Sequence, residues 1–515
     1  MVNKPMFDVP PQDQMENSQP AMKEPIQDFV KTKKRWLSGP EIGALSLSFL
    51  ISATLVISAL IPTVTGDEHL AYFDSVFEQY EILGNGVVAY PTSGIGQYPF
   101  GTPVYVISYD KSAPTVAKNR VEDLWAYYVP KLHALSDRHH DYYIEEVYHE
   151  NPANYLNSLL DNEVPAKSTH DRITVGTLLP NLKMVNDHLN HGDLEISYDL
   201  YQMLSVGKQM SITTQSAFNF FVGALSDFWD PQIDAYANDN PSATDPFYNA
   251  SNRQLIDHRQ SMIPLTADEI NQTLVLTELA GHYYVNFSHP VATSSADLAI
   301  TFGGLAKGYA NDILEKALAR EELTQGFFRG GYSSNLAQGP YYNPQIAWHI
   351  TLGSGMVSLK KENNIYLGLI YDDHFRLSNS GGDNLGKSYL IVEPESDEIC
   401  LRHHIIDVHT GEPSNFHIID VNIFSTSLSN AQLDCLTTAM VSQPYLESAD
   451  LINEMARTLP EGEQLYGAFL TYELTTLTTN PATLLDYPIE FSVYYTSGYE
   501  QFLYKFNDIP LNGIK

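Results

Sequence analysis

The residues best suited to chemistry fall in four short stretches between Phe302 and Ala439. The first, Gly303-Gly304-Leu305-Ala306-Lys307-Gly308-Tyr309-Ala310, puts a glycine-rich turn directly before a helical pattern. Such a turn lets backbone approach a ligand, the following helix N-terminus favours anions, and Lys307 adds a cation. The second is Gly330-Gly331-Tyr332 and the third His404-Ile405-Ile406-Asp407-Val408-His409-Thr410-Gly411. A histidine titrating near neutral pH can serve as a general base or phosphate partner. Read as one strand, His404 and Ile406 share a face, with Ile405 and Asp407 on the other. The fourth is Asp434-Cys435-Leu436-Thr437-Thr438-Ala439. Ser429 with Gln432 is a capping-box pattern that starts a helix just before it, and the spacing puts Asp434 in the first turn. Asp434 and Thr438 are then four residues apart on one face. A carboxylate and a hydroxyl so placed suit Mg²⁺, a hard cation that takes oxygen ligands, although an acidic residue near a helix start also simply complements the helix dipole.

In order and spacing, these four stretches resemble the ApbE family of extracytoplasmic, Mg-dependent flavin transferases, which cut FAD and attach FMN to a Thr or Ser of another protein. The resemblance is close over 297–442 and looser over 100–230. It implies an α+β fold with mixed sheets of the T-fold type flanked by helices. It also implies Mg²⁺ held by Asp434, Thr438 and the backbone near Gly304, and an FAD site lined by Gly303, Gly304, Lys307 and Gly308. His404 matches the family's active-site histidine, and Asp407 and Thr410 belong to the same motif. Leu377-Ser378-Asn379-Ser380-Gly381-Gly382-Asp383 is similar to a Ser-Gly-Asp segment near the flavin, from which Ser380 and Gly381 carry over. Thr213-Thr214-Gln215-Ser216-Ala217-Phe218-Asn219 is similar to a stretch that begins a helix, and Phe100-Gly101-Thr102 to the family's opening Met-Gly-Thr. The chain departs from the family at Thr301, where an acidic residue is usual, and at Asn219, Asn384, Val408 and His409.

The implied reaction is phosphoryl transfer from FAD to an exported redox protein. Water in place of the acceptor hydroxyl would make the same site an FAD pyrophosphatase. An envelope protein that only binds flavin is a third possibility, which the departures favour and the intact Lys307, His404, Asp434 and Thr438 oppose.

Composition narrows the partners. Of 515 residues, 43% are apolar and 18% charged, which is ordinary for a globular protein. The net charge of −33 argues against a nucleic-acid partner, because phosphate binding needs Lys/Arg patches. Two cysteines, Cys400 and Cys435, are too few for a disulfide framework and read as core residues.

Residues 1–41, rich in Pro, Gln and Asn, read as a disordered cytoplasmic tail. Residues 42–64 form an uncharged apolar stretch long enough to span a bilayer, preceded by Lys31, Lys33, Lys34 and Arg35. The positive-inside rule then places 67–515 outside the cytoplasm, on a single-pass cell-membrane anchor or behind a cleaved signal segment. Absence of a Cys after this stretch excludes lipid anchoring.

Further along, apolar spacing predicts helices at 67–83, 121–135, 194–210, 217–229, 307–320, 430–441 and 446–458. Strands are predicted at 104–109, 346–352, 365–371, 388–392, 403–408, 418–424 and 467–474. Residues 231–262, with Pro231, Pro241 and Pro246, read as an inserted polar loop. His139 and His140 read as part of a solvated loop. Helices and strands mix without strict alternation, which indicates α+β.

Overall fold

The computed structural model describes residues 77–83, 88–89, 96–97, 104–110, 115–162, 164, 176–239, 249–322, 326–330, 334–338, 348–352, 365–370, 374–381, 388–392, 399–474, 489–502 and 510–514. The chain divides into two units, Met1–Val56 and Ile57–Lys515, and every described residue belongs to the second. The expected tail at 1–41 and the apolar span at 42–64 therefore lie outside the described residues, as do Gly331-Tyr332 and Phe100-Gly101-Thr102. Among the described residues, no helix is long and apolar enough to cross a membrane.

The chain opens with strands β1 (Phe77–Leu83), β2 (Val88–Ala89), β3 (Gly96–Gln97) and β4 (Val104–Asp110) and helices α1 (Thr115–Ser136), α2 (Ile144–Val147) and α3 (Leu182–Asp187). Next come β5 (Asp193–Ile196), α4 (Tyr198–Thr213), α5 (Gly223–Asp239), α6 (Ala250–Gln260), α7 (Ala267–Thr273), β6 (Leu274–Leu279), β7 (His282–Phe287) and α8 (Ala306–Arg320). The C-terminal part holds β8 (Gly326–Gly330), β9 (Ser334–Gln338), β10 (Trp348–Leu352), β11 (Ile365–Ile370), β12 (His374–Gly381), β13 (Ser388–Val392), β14 (Ile399–His403), β15 (Ile406–Asp407) and β16 (Glu412–Pro413). It ends with β17 (Ile418–Ser425), α9 (Asn430–Val441), α10 (Tyr445–Thr458), β18 (Leu465–Leu474), β19 (Ile489–Thr496) and β20 (Leu511–Ile514).

Among the described residues, nine strands form the main sheet in the order β1-β4-β8-β9-β12-β17-β18-β19-β20, antiparallel except for the β19/β20 pair. A smaller sheet runs β5-β7-β6. All eight residues of β17 are buried, as expected of a central strand covered on both faces. Helix α9 packs on β12 and β17, and α8 packs on α9. That last contact is close because Gly308 faces α9: a Cβ there would lie 2.3 Å from the Asn430 carbonyl oxygen. The fold is α+β as expected, and the ends of α8, α9 and α10 fall within one residue of the predicted limits.

Several local expectations are corrected. Residues 77–83 are not helical; they pair with β4 over seven positions, so sheet pairing overrides their helical spacing. The helix expected from 194 starts only at Tyr198, after β5, with Ser197 accepting the Leu200 N–H at its start. The one expected from 217 starts at Gly223. Between them, Gln215 and Ser216 have φ of 52° and 70°, and Thr214 Oγ1 accepts the Phe218 N–H, which closes a turn instead of opening a helix. Residues 231–262 are not a loop where described. Helix α5 runs through Pro231, anchored by buried Phe228, Trp229 and Ile233 on either side of it, and α6 follows. Cys435 is buried and free, as expected, whereas the Cys400 side chain lies outside the described residues. His139 is exposed in its loop, but the neighbouring His140 Nδ1 lies 2.8 Å from Asp137 Oδ2 and is only partly solvated.

Candidate functional site

Helix α9 carries the first part of the site. Its start is a complete capping box: Ser429 Oγ accepts the Gln432 N–H, and the Gln432 side chain accepts the Ser429 N–H. Asp434 lies in the second turn, not the first, because the helix begins at Asn430. Dipole complementarity near a helix start therefore does not explain it. The carboxylate is 1% exposed. One of its oxygens, Oδ2, accepts the Gly308 N–H at 3.1 Å, in the first turn of α8, whose N-cap Leu305 supplies no side-chain cap. Asp434 thus caps the neighbouring helix. Burial raises its pKa above the usual carboxylate range, opposed by the Lys307 charge, the Gly308 N–H and a hydrogen bond from Ser378.

Thr438 is one helical turn beyond Asp434, and its Oγ1 donates to the Asp434 carbonyl at 2.9 Å. Strand β12 brings Ser380 Oγ within 2.9 Å of Thr437 Oγ1 and 3.5 Å of Thr438 Oγ1. Gly381 follows it, and a Cβ there would lie 2.5 Å from the Ile419 carbonyl oxygen. The glycine-rich turn closes over the same point. A Cβ on Gly304 would lie 2.6 Å from Thr438 Oγ1, so only glycine lets this backbone sit against the threonine. Gly303, one residue earlier, is exposed, and its N–H donates to Thr301 Oγ1 at 3.3 Å. Thr301 is thus a turn partner in the place where the family carries an acid.

The structure thus brings Gly304, Gly308, Ser380, Asp434 and Thr438 together, with Lys307 near enough for its charge to act on Asp434. Their polar atoms are a buried carboxylate, a hydroxyl and backbone, an all-oxygen set that fits Mg²⁺. Among the described residues, no group of three or more His, Cys, Asp or Glu side chains gathers as a metal cluster. The donor set here is of another kind.

A second group is held by other elements. His404 is exposed in a bend between β14 and β15, not on a strand, while Ile405, Ile406 and Asp407 are all buried. The expected alternation of faces is therefore absent. Its neighbour His403 is buried, and burial, with the His404 and Arg402 charges, pushes its imidazole down to about 3. His403 Nδ1 accepts the Ile405 N–H at 3.2 Å. Of the two histidines, then, only His404 presents its ring to solvent. Asp407 Oδ1 accepts the His409 N–H at 2.9 Å and Thr410 Oγ1 donates to Asp407 Oδ2 at 3.3 Å, so these two residues close the turn after β15. Its outer wall is clamped by α5 and α6: Trp229 Nε1 donates to the Gly411 carbonyl at 2.8 Å, and Gln260 Nε2 to the Val408 carbonyl at 3.1 Å. Buried Arg402 pairs with Glu412 at 2.8 Å.

Sequence reading quotes Ser378 and Thr437 within its motifs without giving them a role, and misses Asp312 and Trp229. Of these, Asp312 left a trace: it lies four residues after Gly308, hence on the α8 face that meets α9.

The model of the ApbE family matches residues 179–459, more than half of the chain. The chain belongs to the ApbE family. Similar solved structures include the flavin transferase ApbE from Vibrio cholerae, 15% identical, covering 83% of this chain and all of that one, with a TM-score of 0.47. The ApbE protein from Thermotoga maritima is 16% identical over 76% of this chain and 94% of its own, with a TM-score of 0.46. The apo flavinyl transferase ApbE from Pseudomonas stutzeri is 13% identical over 84% and 98%, with a TM-score of 0.47. No curated protein matches the sequence. The ApbE match begins at Leu179 and ends at Leu459, so it spans both groups of site residues.

Proposed function

We propose that this ApbE-family flavinyl transferase is Mg-dependent, cleaves FAD, and attaches FMN through a phosphoester to a Thr or Ser of an exported redox protein. The observation that carries the reading is the convergence of the Gly304 backbone, buried Asp434, Thr438 and Ser380 at one point beside Lys307. Asp434 and Thr438, with the Gly304 backbone, would hold Mg²⁺. When bound, the ion supplies charge neutralisation at the pyrophosphate as AMP leaves.

The protein's own residues supply the rest. Gly303 and Gly304 let a pyrophosphate approach the backbone, and Lys307 adds positive charge in the first turn of α8. The acceptor hydroxyl oxygen attacks the phosphorus of the FMN half. The bond from that phosphorus to the bridging oxygen breaks, and AMP carries the oxygen away. His404, exposed and therefore reachable by a protein acceptor, takes the hydroxyl proton. Asp407 and Thr410 stiffen the turn that presents it. Positioning and charge stabilisation dominate such transfers, which suits a site with so few reactive side chains. The apolar stretch at 42–64 supports an extracytoplasmic domain anchored at the cell membrane.

Two variants test the assignment. With FAD, Mg²⁺ and an acceptor, Asp434→Ala abolishes AMP release, and His404→Ala retains FAD binding but leaves the acceptor unlabelled. Undiminished AMP release in Asp434→Ala would remove the metal assignment, and full labelling by His404→Ala would move the base elsewhere.

A further inference from the structure

Helices α8 and α9 exchange carboxylates. Asp434 of α9 caps the first turn of α8 through the Gly308 N–H. In return, Asp312 of α8 caps the first turn of α9: Oδ1 accepts the Asn430 N–H at 2.7 Å and its side-chain amide at 3.0 Å, and Oδ2 accepts the Ala431 N–H at 3.1 Å. One turn further, Glu315 takes both Arg376 Nη2 at 2.8 Å and Arg376 Nε at 3.0 Å, tying α8 to β12. Arg376 also donates to the Leu428 carbonyl at 3.3 Å, just before α9, and Asn430 Nδ2 reaches Glu315 at 3.3 Å.

The three elements joined by this network are the three that carry Lys307, just after the Gly304 turn, Asp434 with Thr438, and Ser380. Asp312 is 7% exposed, and burial raises its pKa despite the donors around it. The Ser429 capping box accepts only the Gln432 N–H of α9, so the Asn430 and Ala431 N–H groups of α9 find their acceptors on Asp312 of the neighbouring helix, which ties the two helix starts together.

We infer that Asp312, through the Asn430 and Ala431 N–H groups and with the Glu315–Arg376 pair, is the positioning residue that sets the register of α9 against α8 and so places Asp434 at Gly308. Asp312 touches no reacting atom; it acts through Asp434. The inference deepens the metal-site reading and rests on it for its consequence, a set Mg²⁺ affinity.

The test is Asp312→Asn, which turns one acceptor oxygen into an NH₂ group that must face a donor. An Ile270→Ala variant, in α7, which packs on α4 and β6, is the control for general destabilisation, since Ile270 is fully buried. The first readout, amide exchange of peptides covering 303–308, needs neither metal nor flavin. Relative to the control, exchange there rises about tenfold or more in Asp312→Asn, beyond any change elsewhere in the chain. Equal local exchange in the two variants overturns the inference. The second readout is Mg²⁺ alone, titrated calorimetrically. Loss of a group that orients a metal ligand weakens binding by roughly 10–100-fold, and an affinity equal to that of the control also overturns the inference. A parent protein that orders 303–308 as described but binds no Mg²⁺ would refute the metal reading while the exchange data still decide the role of Asp312.

Discussion

Gly304→Ala adds a single methyl group at the point where the turn, α9 and β12 meet. Its carbon would lie 2.6 Å from Thr438 Oγ1 and 3.2 Å from both Cβ and Cγ2 of that residue. Comfortable carbon contacts begin at about 3.5 Å, so a displacement of nearly 1 Å must be found. Thr438 cannot yield freely, because its Oγ1 donates to the Asp434 carbonyl at 2.9 Å and lies 3.5 Å from Ser380 Oγ. Overpacking of this kind costs about 1–3 kcal/mol of stability. In a unit this large, that lowers Tm by only a few °C. A misplacement of about 1 Å at a catalytic group, by contrast, costs roughly 100-fold in rate. Gly303→Ala is the comparison: its Cβ would meet only Thr301 Oγ1 at 3.6 Å, an ordinary contact. The assays are AMP release from FAD, Mg²⁺ titration and thermal unfolding. Gly304→Ala loses about 100-fold in AMP release and binds Mg²⁺ weakly, whereas Gly303→Ala keeps the parent Tm and Mg²⁺ affinity. Gly304→Ala with AMP release and Mg²⁺ affinity within twofold of the parent would refute the claim that this backbone sits against the metal ligands.

Two further variants probe other parts of the molecule. Trp229→Phe leaves the buried Gly411 carbonyl without its 2.8 Å donor, at a cost of about 1–3 kcal/mol. It loosens the His404 turn, so labelling of the acceptor slows while Mg²⁺ affinity stays at the parent value; a weakened Mg²⁺ titration would show that the two groups of residues are not separately held. Glu146 is 2% exposed, and burial pushes its carboxyl up to about 7 from 4.5. Below pH 4.5 it is protonated in both folded and unfolded chains. As pH rises from there through 7, the unfolded chain ionises first, and the stability associated with this group is lost. Glu146→Gln therefore flattens the fall of Tm between about pH 4.5 and 7, and a pH profile superimposable on the parent's would contradict the burial effect.

Much of the site was legible because it rests on local signals. The capping box at Ser429, the four-residue spacing of Asp434 and Thr438, and the glycine turn before α8 are all set within one helix or its first turn, and the structure keeps them. What was not legible depends on tertiary partners. Residues 77–83 carry helical spacing but are drawn into the sheet by β4. Pro231 reads as a breaker, yet the burial of Phe228, Trp229 and Ile233 holds α5 straight through it. His404 falls inside the strand predicted at 403–408, but β14 ends at His403, whose side chain turns inward to accept the Ile405 N–H. Asp312 resembles any acidic residue on an amphipathic helix until α9 is seen to begin against it.

The most direct test of the proposed function is a single reaction: the purified full chain with FAD, Mg²⁺ and an acceptor domain bearing a flavinylation sequence. The acceptor becomes covalently fluorescent with one AMP released per FMN attached. AMP without a labelled acceptor would make the protein a pyrophosphatase, and tight FAD binding with neither product would contradict catalysis at this site altogether.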